Sequence, residues 1–168
     1  MNPDLFWVSG PWRGKLAVVA RPRGGDWLED EASGWHRAGI DVVVSLLEQA
    51  EAADLGLAHE GDVAESNGVH FVSFPIPDRG VPASTPDALA LLKEVAGALE
   101  EGKTVAVHCR QSIGRSGLIA VGVLMLSGIA VDKAIDVVSA ARGQSIPETA
   151  AQLRWLRHLP SAKLAVAS

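Results

Sequence analysis

Five short runs rich in β-branched and other apolar residues punctuate the chain, at positions 6–9, 16–20, 42–47, 69–74 and 104–108. Runs of this length, bounded by Gly, Pro, Asn, Asp and Ser, predict strands. Between and after them the apolar positions move to helical spacing. Residues 27–37 predict one helix, and the Ala-rich stretch 48–66 another, broken near Gly56. Thr85-Pro86 supplies a hydroxyl N-cap followed by proline at the first helical position. Apolar residues at 88, 89, 91, 92, 95, 96 and 99 continue that helix, and Gly102 closes it. Further helices are predicted from Gly114 to about Ser127, from Asp132 to Arg142 with Gly143 as the stop, and from near Pro147 to about His158, before Pro160. Residues 161–168 read as a tail. Strands alternating with helices indicate an α/β domain, with a central mainly parallel sheet of about four to five strands flanked by helices. One domain over residues 1–168, with its core at about 40–158, accounts for the whole pattern. Ligands of such sheets bind at the carboxyl ends of strands, which directs attention to the loop after residues 104–108.

Composition narrows the function classes. Hydrophobic residues make up 48% of the 168 and charged residues 21%, which excludes a disordered chain. Fifteen Lys and Arg against 20 Asp and Glu give a net charge of −5. That balance argues against a nucleic-acid partner or stable membrane association, since both need a basic surface. One cysteine permits no internal disulfide and no multi-cysteine zinc site, and His36, His59, His70, His108 and His158 show no metal-ligand spacing. The first residues lack the basic region of a secretory signal. The apolar stretch 118–131, interrupted by Gly122, Ser127 and Gly128, falls short of the roughly 20 residues that span a membrane. The expected setting is cytoplasmic and reducing.

The loop after the last strand reads His108-Cys109-Arg110-Gln111-Ser112-Ile113-Gly114-Arg115-Ser116-Gly117. A buried strand delivers the single cysteine into a short turn that opens a helix. Successive backbone N–H groups in such a loop form an anion nest, and the helix N-terminus adds unpaired donors and a positive dipole end. Arg115 adds a fork of donors that matches two phosphate oxygens. The same field favours thiolate over thiol at Cys109. The alternative, a small buried hydrophobic cysteine, leaves the arginine and the hydroxyl beside it unexplained.

His108-Cys109-x5-Arg115-Ser116-Gly117 resembles the signature of the cysteine-dependent protein tyrosine and dual-specificity phosphatases. Phe74-Pro-Ile-Pro-Asp78-Arg-Gly-Val-Pro82 is similar to the acid-bearing loop of that superfamily. Ala141-Arg-Gly143 followed by Ile146-Pro-Glu148-Thr-Ala-Ala-Gln152 resembles the later segment of its kinase-associated phosphatase-like and bacterial members. Ile40-Asp-Val-Val-Val-Ser-Leu-Leu47 resembles their early core strand, so the likeness covers about residues 40–155. One departure concerns the loop: Gln111 and Ser112 stand where Ala and Gly are common. If Ser112 must take a positive φ, the side chain costs roughly 1–2 kcal/mol.

The resemblance implies a protein tyrosine phosphatase-like fold and roles for particular residues. Cys109 is the nucleophile, Arg115 the phosphate ligand, and Asp78 the general acid. Residues Arg110, Gln111, Ser112, Ile113 and Gly114 complete the binding loop with Arg115. Ser116 stabilises the departing thiolate, or else serves as a first-turn helix serine. His108 orients the loop. Asp78 also fits a plain turn, since Pro77-Asp78-Arg79-Gly80 is a turn-former on composition. Gln152 is a candidate for the site. Glu148 either joins it or forms a capping box with Ser145. Arg13, Lys15, Arg21 and Arg23 either line the entrance or solvate a strand face.

The implied activity is metal-independent phosphomonoester hydrolysis through a phosphocysteine, without a cofactor. The implied partners are a phosphorylated protein or small phosphomonoester, with phosphate or sulfate able to occupy the loop. Phosphotyrosine is the first expectation, with phosphoserine or phosphothreonine beside it. The alternatives are an inositol-phosphate or phosphoinositide phosphatase and a phospho-binding module. Inositide-directed relatives carry extra basic residues in the loop, where this chain has Arg110 alone. A rhodanese-type sulfurtransferase fits less well, for want of an acid motif like that around Asp78.

Overall fold

The computed structural model describes residues 4–160; the tail predicted at 161–168 lies outside the described residues. Among the described residues five strands form one sheet: β1 (Leu5–Val8), β2 (Lys15–Val19), β3 (Val42–Ser45), β4 (His70–Ser73) and β5 (Thr104–His108). Their order across the sheet is β1-β2-β5-β3-β4. β1 runs antiparallel to β2, and every other pairing is parallel. The central strand is therefore β5, paired on both sides: Ala106 lies opposite Ala17 of β2 and Val43 of β3.

Among the described residues seven α-helices cover the sheet: α1 (Leu28–Arg37), α2 (Gln49–Asp54), α3 (Glu60–Ser66), α4 (Thr85–Glu100), α5 (Gly114–Leu126), α6 (Val131–Arg142) and α7 (Ala150–Arg157). Strand alternation divides the core between the two faces. Leu16, Val18, Val42, Val44, Val105 and Val107 point into the larger cluster, with residues of α4, α5, α6 and α7. Val19, Val43 and Ala106 point the other way, against Ala32 and Trp35 of α1 and Ala64 of α3. Residues Gly114 to Met125 of α5 are all buried, which accounts for the largely apolar stretch that begins at residue 118. Among the described residues no helix is long and apolar enough to cross a membrane.

Two predicted helix starts are corrected. The cap of α4 is Ser84, whose hydroxyl accepts from the Asp87 N–H, so Thr85 is already the first helical residue. The last helix begins at Ala150 instead of near Pro147. Its cap is Thr149, in a reciprocal box with Gln152, so the Ser145–Glu148 capping box does not form. The break near Gly56 is real: Gly56 has φ +72° and separates α2 from α3.

Because β2, β3, β4 and β5 are parallel, their carboxyl ends share one edge of the sheet. The segments leaving that edge begin at residues 20, 46, 74 and 109. Arg21, Glu51, Asp78 and the Cys109 loop are thereby brought together from four distant parts of the chain.

Candidate active site

Cys109 is 3% exposed at the end of β5. The loop curls so that its carbonyls face outward, where arginines take them. Arg21 Nη1 donates to the Arg110 carbonyl at 2.6 Å, Arg142 Nε to that of Ser112 at 2.8 Å, and Arg142 Nη2 to that of Gln111 at 3.4 Å. With the carbonyls bonded on the outside, the N–H groups are left for the concave side, as an anion nest requires. No side chain caps α5, so its first N–H groups add to that set.

Ser112 does adopt a left-handed backbone, with φ +56°. The cost of a Cβ there is offset by its hydroxyl, which donates to the Val19 carbonyl at 2.6 Å. This pins the loop to the end of β2, which glycine at position 112 would not do.

Arg115 is 1% exposed and is held from two sides. Its Nη1 meets Glu51 Oε1 at 2.7 Å and the Ile76 carbonyl at 2.8 Å. Its Nη2 meets Glu51 Oε2 at 3.0 Å and Asp78 Oδ1 at 3.2 Å. The bonds from Arg115 hold the Glu51 carboxyl below its ordinary value of 4.5, against the effect of burial. Burial in turn works against the Arg115 charge, yet Glu51, Cys109 and Asp78 together raise its pKa above the ordinary arginine range.

His108 is fully buried between two partners. Its Nε2 lies 2.5 Å from Glu60 Oε2, and its Nδ1 lies 3.4 Å from the Cys109 carbonyl. Ser116 is buried and its hydroxyl finds no partner among the described residues. It therefore does not spend its proton on the helix backbone. Ile113 is the residue before α5, and Arg110 leans toward Glu51, 3.9 Å away.

Gln152 and Glu148 lie beside the loop, with the Gln152 amide and one Glu148 oxygen already engaged. Gln152 Oε1 accepts from the Glu148 and Thr149 N–H groups, and its Nε2 donates to the Gly80 carbonyl at 3.1 Å. Glu148 Oε1 pairs with Arg79 at 3.1 Å, and a methyl group on Gly114 would lie 2.3 Å from Glu148 Oε2. Three of the four early cations can be placed. Arg21 reaches the loop, whereas Arg23 pairs with Glu31 and stacks on Trp27, and Lys15 lies over Trp7.

Sequence reasoning missed Glu51, Glu60 and the role of Arg142. Glu51 sits in a capping box with Glu48, a pattern that reads locally as helix initiation alone. Its signal is topological: it follows the parallel strand next to β5.

A family model described as "Polymorphic toxin system, DSP-PTPase phosphatase" matches residues 18–129. The chain belongs to the DSP-PTPase phosphatase family. It is 33% identical over 132 residues to protein tyrosine phosphatase domain-containing protein 1 of Danio rerio, covering 73% of this chain. It is 29% identical over 119 residues, 70% of this chain, to cyclin-dependent kinase inhibitor 3 of Mus musculus. The chain spans 18% of the length of the first and 56% of the second. The crystal structure of Tk-PTP in its active form is 31% identical, with TM-score 0.78, covering 95% of this chain and 97% of that one. Kinase-associated phosphatase with its catalytic cysteine replaced by serine shares the fold at TM-score 0.85 and 20% identity, with 93% of each chain covered.

The Glu51–Arg115 pair makes stability depend on acid pH. A depressed carboxyl pKa means that the unfolded chain binds the proton more readily, so stability falls as pH falls through the folded-state value. The contribution is complete above pH about 4.5 and is lost progressively below it. Glu51→Gln should lower stability at neutral pH by about 2–3 kcal/mol, because one side of a buried pair is removed. It should also flatten the acid limb of the stability profile. Denaturant melts of both proteins between about pH 3 and 7 check this; parallel profiles would overturn it.

Proposed function

We propose that this phosphatase-family domain hydrolyses phosphotyrosine in proteins, with phosphoserine and phosphothreonine as secondary substrates, through a phosphocysteine. The observation that carries the reading is the meeting of Cys109, the Glu51-anchored Arg115 and Asp78 at one edge of the sheet. Substrate phosphate enters the loop and takes N–H bonds from residues 110–115, together with donors of Arg115. The Nε–H of Arg115 makes no bond to the described residues, and its Nη2 exchanges Asp78 for a phosphate oxygen. That exchange frees the Asp78 carboxyl to face the leaving group.

Cys109 Sγ attacks phosphorus in line, the bond from phosphorus to the leaving oxygen breaks, and Asp78 gives that oxygen its proton. Water then attacks the phosphocysteine, Asp78 takes a proton from the water, and the sulfur–phosphorus bond breaks. The unbonded Ser116 hydroxyl is suited to donate to the departing thiolate. Glu60 holds His108, and His108 holds the Cys109 carbonyl. The chemistry uses protein groups throughout, and a reducing, cytoplasmic setting suits its lone thiol.

The likeness to Tk-PTP and to a protein named for its tyrosine phosphatase domain supports tyrosine phosphate over an inositol phosphate. So does the loop, where Arg110 is the one basic residue among the five between Cys109 and Arg115 and Ile113 is apolar. The test is a panel of phosphotyrosine, phosphoserine and phosphothreonine peptides and inositol phosphates, assayed with chelator present. Higher kcat/KM on inositol phosphates than on any phosphopeptide would overturn the assignment. Arg115→Lys should lower kcat/KM on the best substrate by about 10²–10³-fold, since a point charge replaces neither the fork nor the Glu51 clasp. Near wild-type kcat/KM in that variant would make Arg115 a structural residue.

A further inference from the structure

We propose that Arg79, Glu148 and Gln152 form a latch that holds the acid loop over the phosphate loop, with Arg79 acting as a positioning residue for Asp78. The inference rests on the reading of Asp78 as the general acid. Asp78 is 58% exposed, and its one ion-pair partner among the described residues is Arg115. That is the group a substrate phosphate takes over. At the moment when the acid must be aimed at the leaving oxygen, its own anchor has been given up, and the loop must be held by its neighbours.

Those neighbours are held by a segment some 70 positions further along the chain. Arg79 Nη1 pairs with Glu148 Oε1 at 3.1 Å, the Arg79 carbonyl accepts from Thr149 Oγ1 at 3.5 Å, and the Gly80 carbonyl accepts from Gln152 Nε2 at 3.1 Å. The Gln152 amide cannot turn away, because its side chain is fully buried and its Oε1 already accepts two N–H groups at the start of α7. Arg79 has φ +61°, in the left-handed region that disfavours side chains. Such a conformation persists where surrounding contacts over-determine it, and these three contacts do so. The Gly80 N–H closes the turn onto the Pro77 carbonyl at 2.8 Å, so the orientation of residue 79 is passed directly to Asp78.

The latch also ties the two loops to each other. The Glu148 carboxylate packs against Gly114, at the exit of the phosphate loop, while its other oxygen holds Arg79. A bare carboxylate there would oppose phosphate binding, and Arg79 neutralises it. The pair thus couples the acid loop to the phosphate loop through charge as well as position.

The test compares leaving groups. Arg79→Asn keeps a residue that accepts the left-handed turn but removes the guanidinium. It should lower kcat on phenyl phosphate by about fivefold, the scale of one partly exposed ion pair. The loss on p-nitrophenyl phosphate, whose leaving group needs little protonation, should be smaller. Arg79→Lys should recover most of the difference. Added KCl should depress the phenyl phosphate rate of the wild type more than that of Arg79→Asn, because the pair is screened. Gln152→Leu should show the same leaving-group bias without the salt effect. Equal losses on both substrates, or none, in Arg79→Asn and Gln152→Leu would overturn the latch, provided Asp78→Asn does show the bias. Absence of the bias in Asp78→Asn would instead overturn the reading of Asp78 on which the latch rests.

Discussion

Cys109→Ser is expected to abolish turnover while leaving the protein folded and able to bind phosphate analogues. The side chain is nearly fully buried, and the substitution changes one atom, so packing at the end of β5 is kept. The anion site is made of other groups: the loop N–H donors, the open end of α5, and Arg115 with its Glu51 clasp. A serine hydroxyl is not ionised near neutral pH, and among the described residues none is hydrogen-bonded to this side chain as a base would be. His108, the adjacent imidazole, has both ring nitrogens engaged, by Glu60 and by the Cys109 carbonyl. The loss should be on the order of 10⁵–10⁶-fold in kcat, the scale seen when a covalent enzyme loses its nucleophile. Calorimetric titration with tungstate or phosphate should give a Kd within a few-fold of the wild type. Chelator-insensitive turnover in the pure variant would exclude the covalent route, and loss of analogue binding would show that the thiol builds the anion site.

The parts of this site that lie within one stretch of chain were legible before the fold. Cys109, Arg115 and Ser116 follow one another through a strand end, a turn and a helix start, so spacing alone carries their relation. Glu51 and Glu60 are different. Each reaches the loop because β3 pairs with β5, and nothing local to Glu48–Glu51 or to His59–Glu60 records that pairing.

The last helix shows the same limit. Ser145-x-x-Glu148 and Thr149-x-x-Gln152 are both Ser/Thr-x-x-Glu/Gln patterns, four residues apart. The choice between them is made by tertiary contacts: Arg79 draws Glu148 away, and Gly80 takes Gln152 Nε2 while its oxygen stays at the helix start. Position 112 is intermediate. Its demand for a left-handed backbone followed from the loop, but the hydroxyl bond to Val19 that makes serine acceptable required β2 to be placed beside it.

Asp78→Asn distinguishes an acid from a turn residue at the same position. Asparagine is as good a turn-former as aspartate, so a structural role predicts unchanged rates with every leaving group. A proton donor predicts a loss that grows with the basicity of the leaving oxygen. Phenolate and tyrosinate leave poorly without a proton, so kcat on phenyl phosphate and phosphotyrosine should fall by about 10²–10³-fold. p-Nitrophenolate leaves readily, and its rate should fall far less. KM should stay level or drop, because the lost interaction belongs to the transition state. A drop has a specific cause here. Asp78 Oδ1 sits 3.2 Å from Arg115 Nη2 before substrate arrives, and a neutral amide competes less well than a carboxylate for that donor. Phosphate would then displace a weaker partner, so phosphate itself should inhibit the variant at lower concentration than it inhibits the wild type. Wild-type rates on phosphotyrosine and p-nitrophenyl phosphate alike would remove Asp78 from the chemistry. Glu148, which packs against Gly114 of the phosphate loop, would then be the next carboxylate to test.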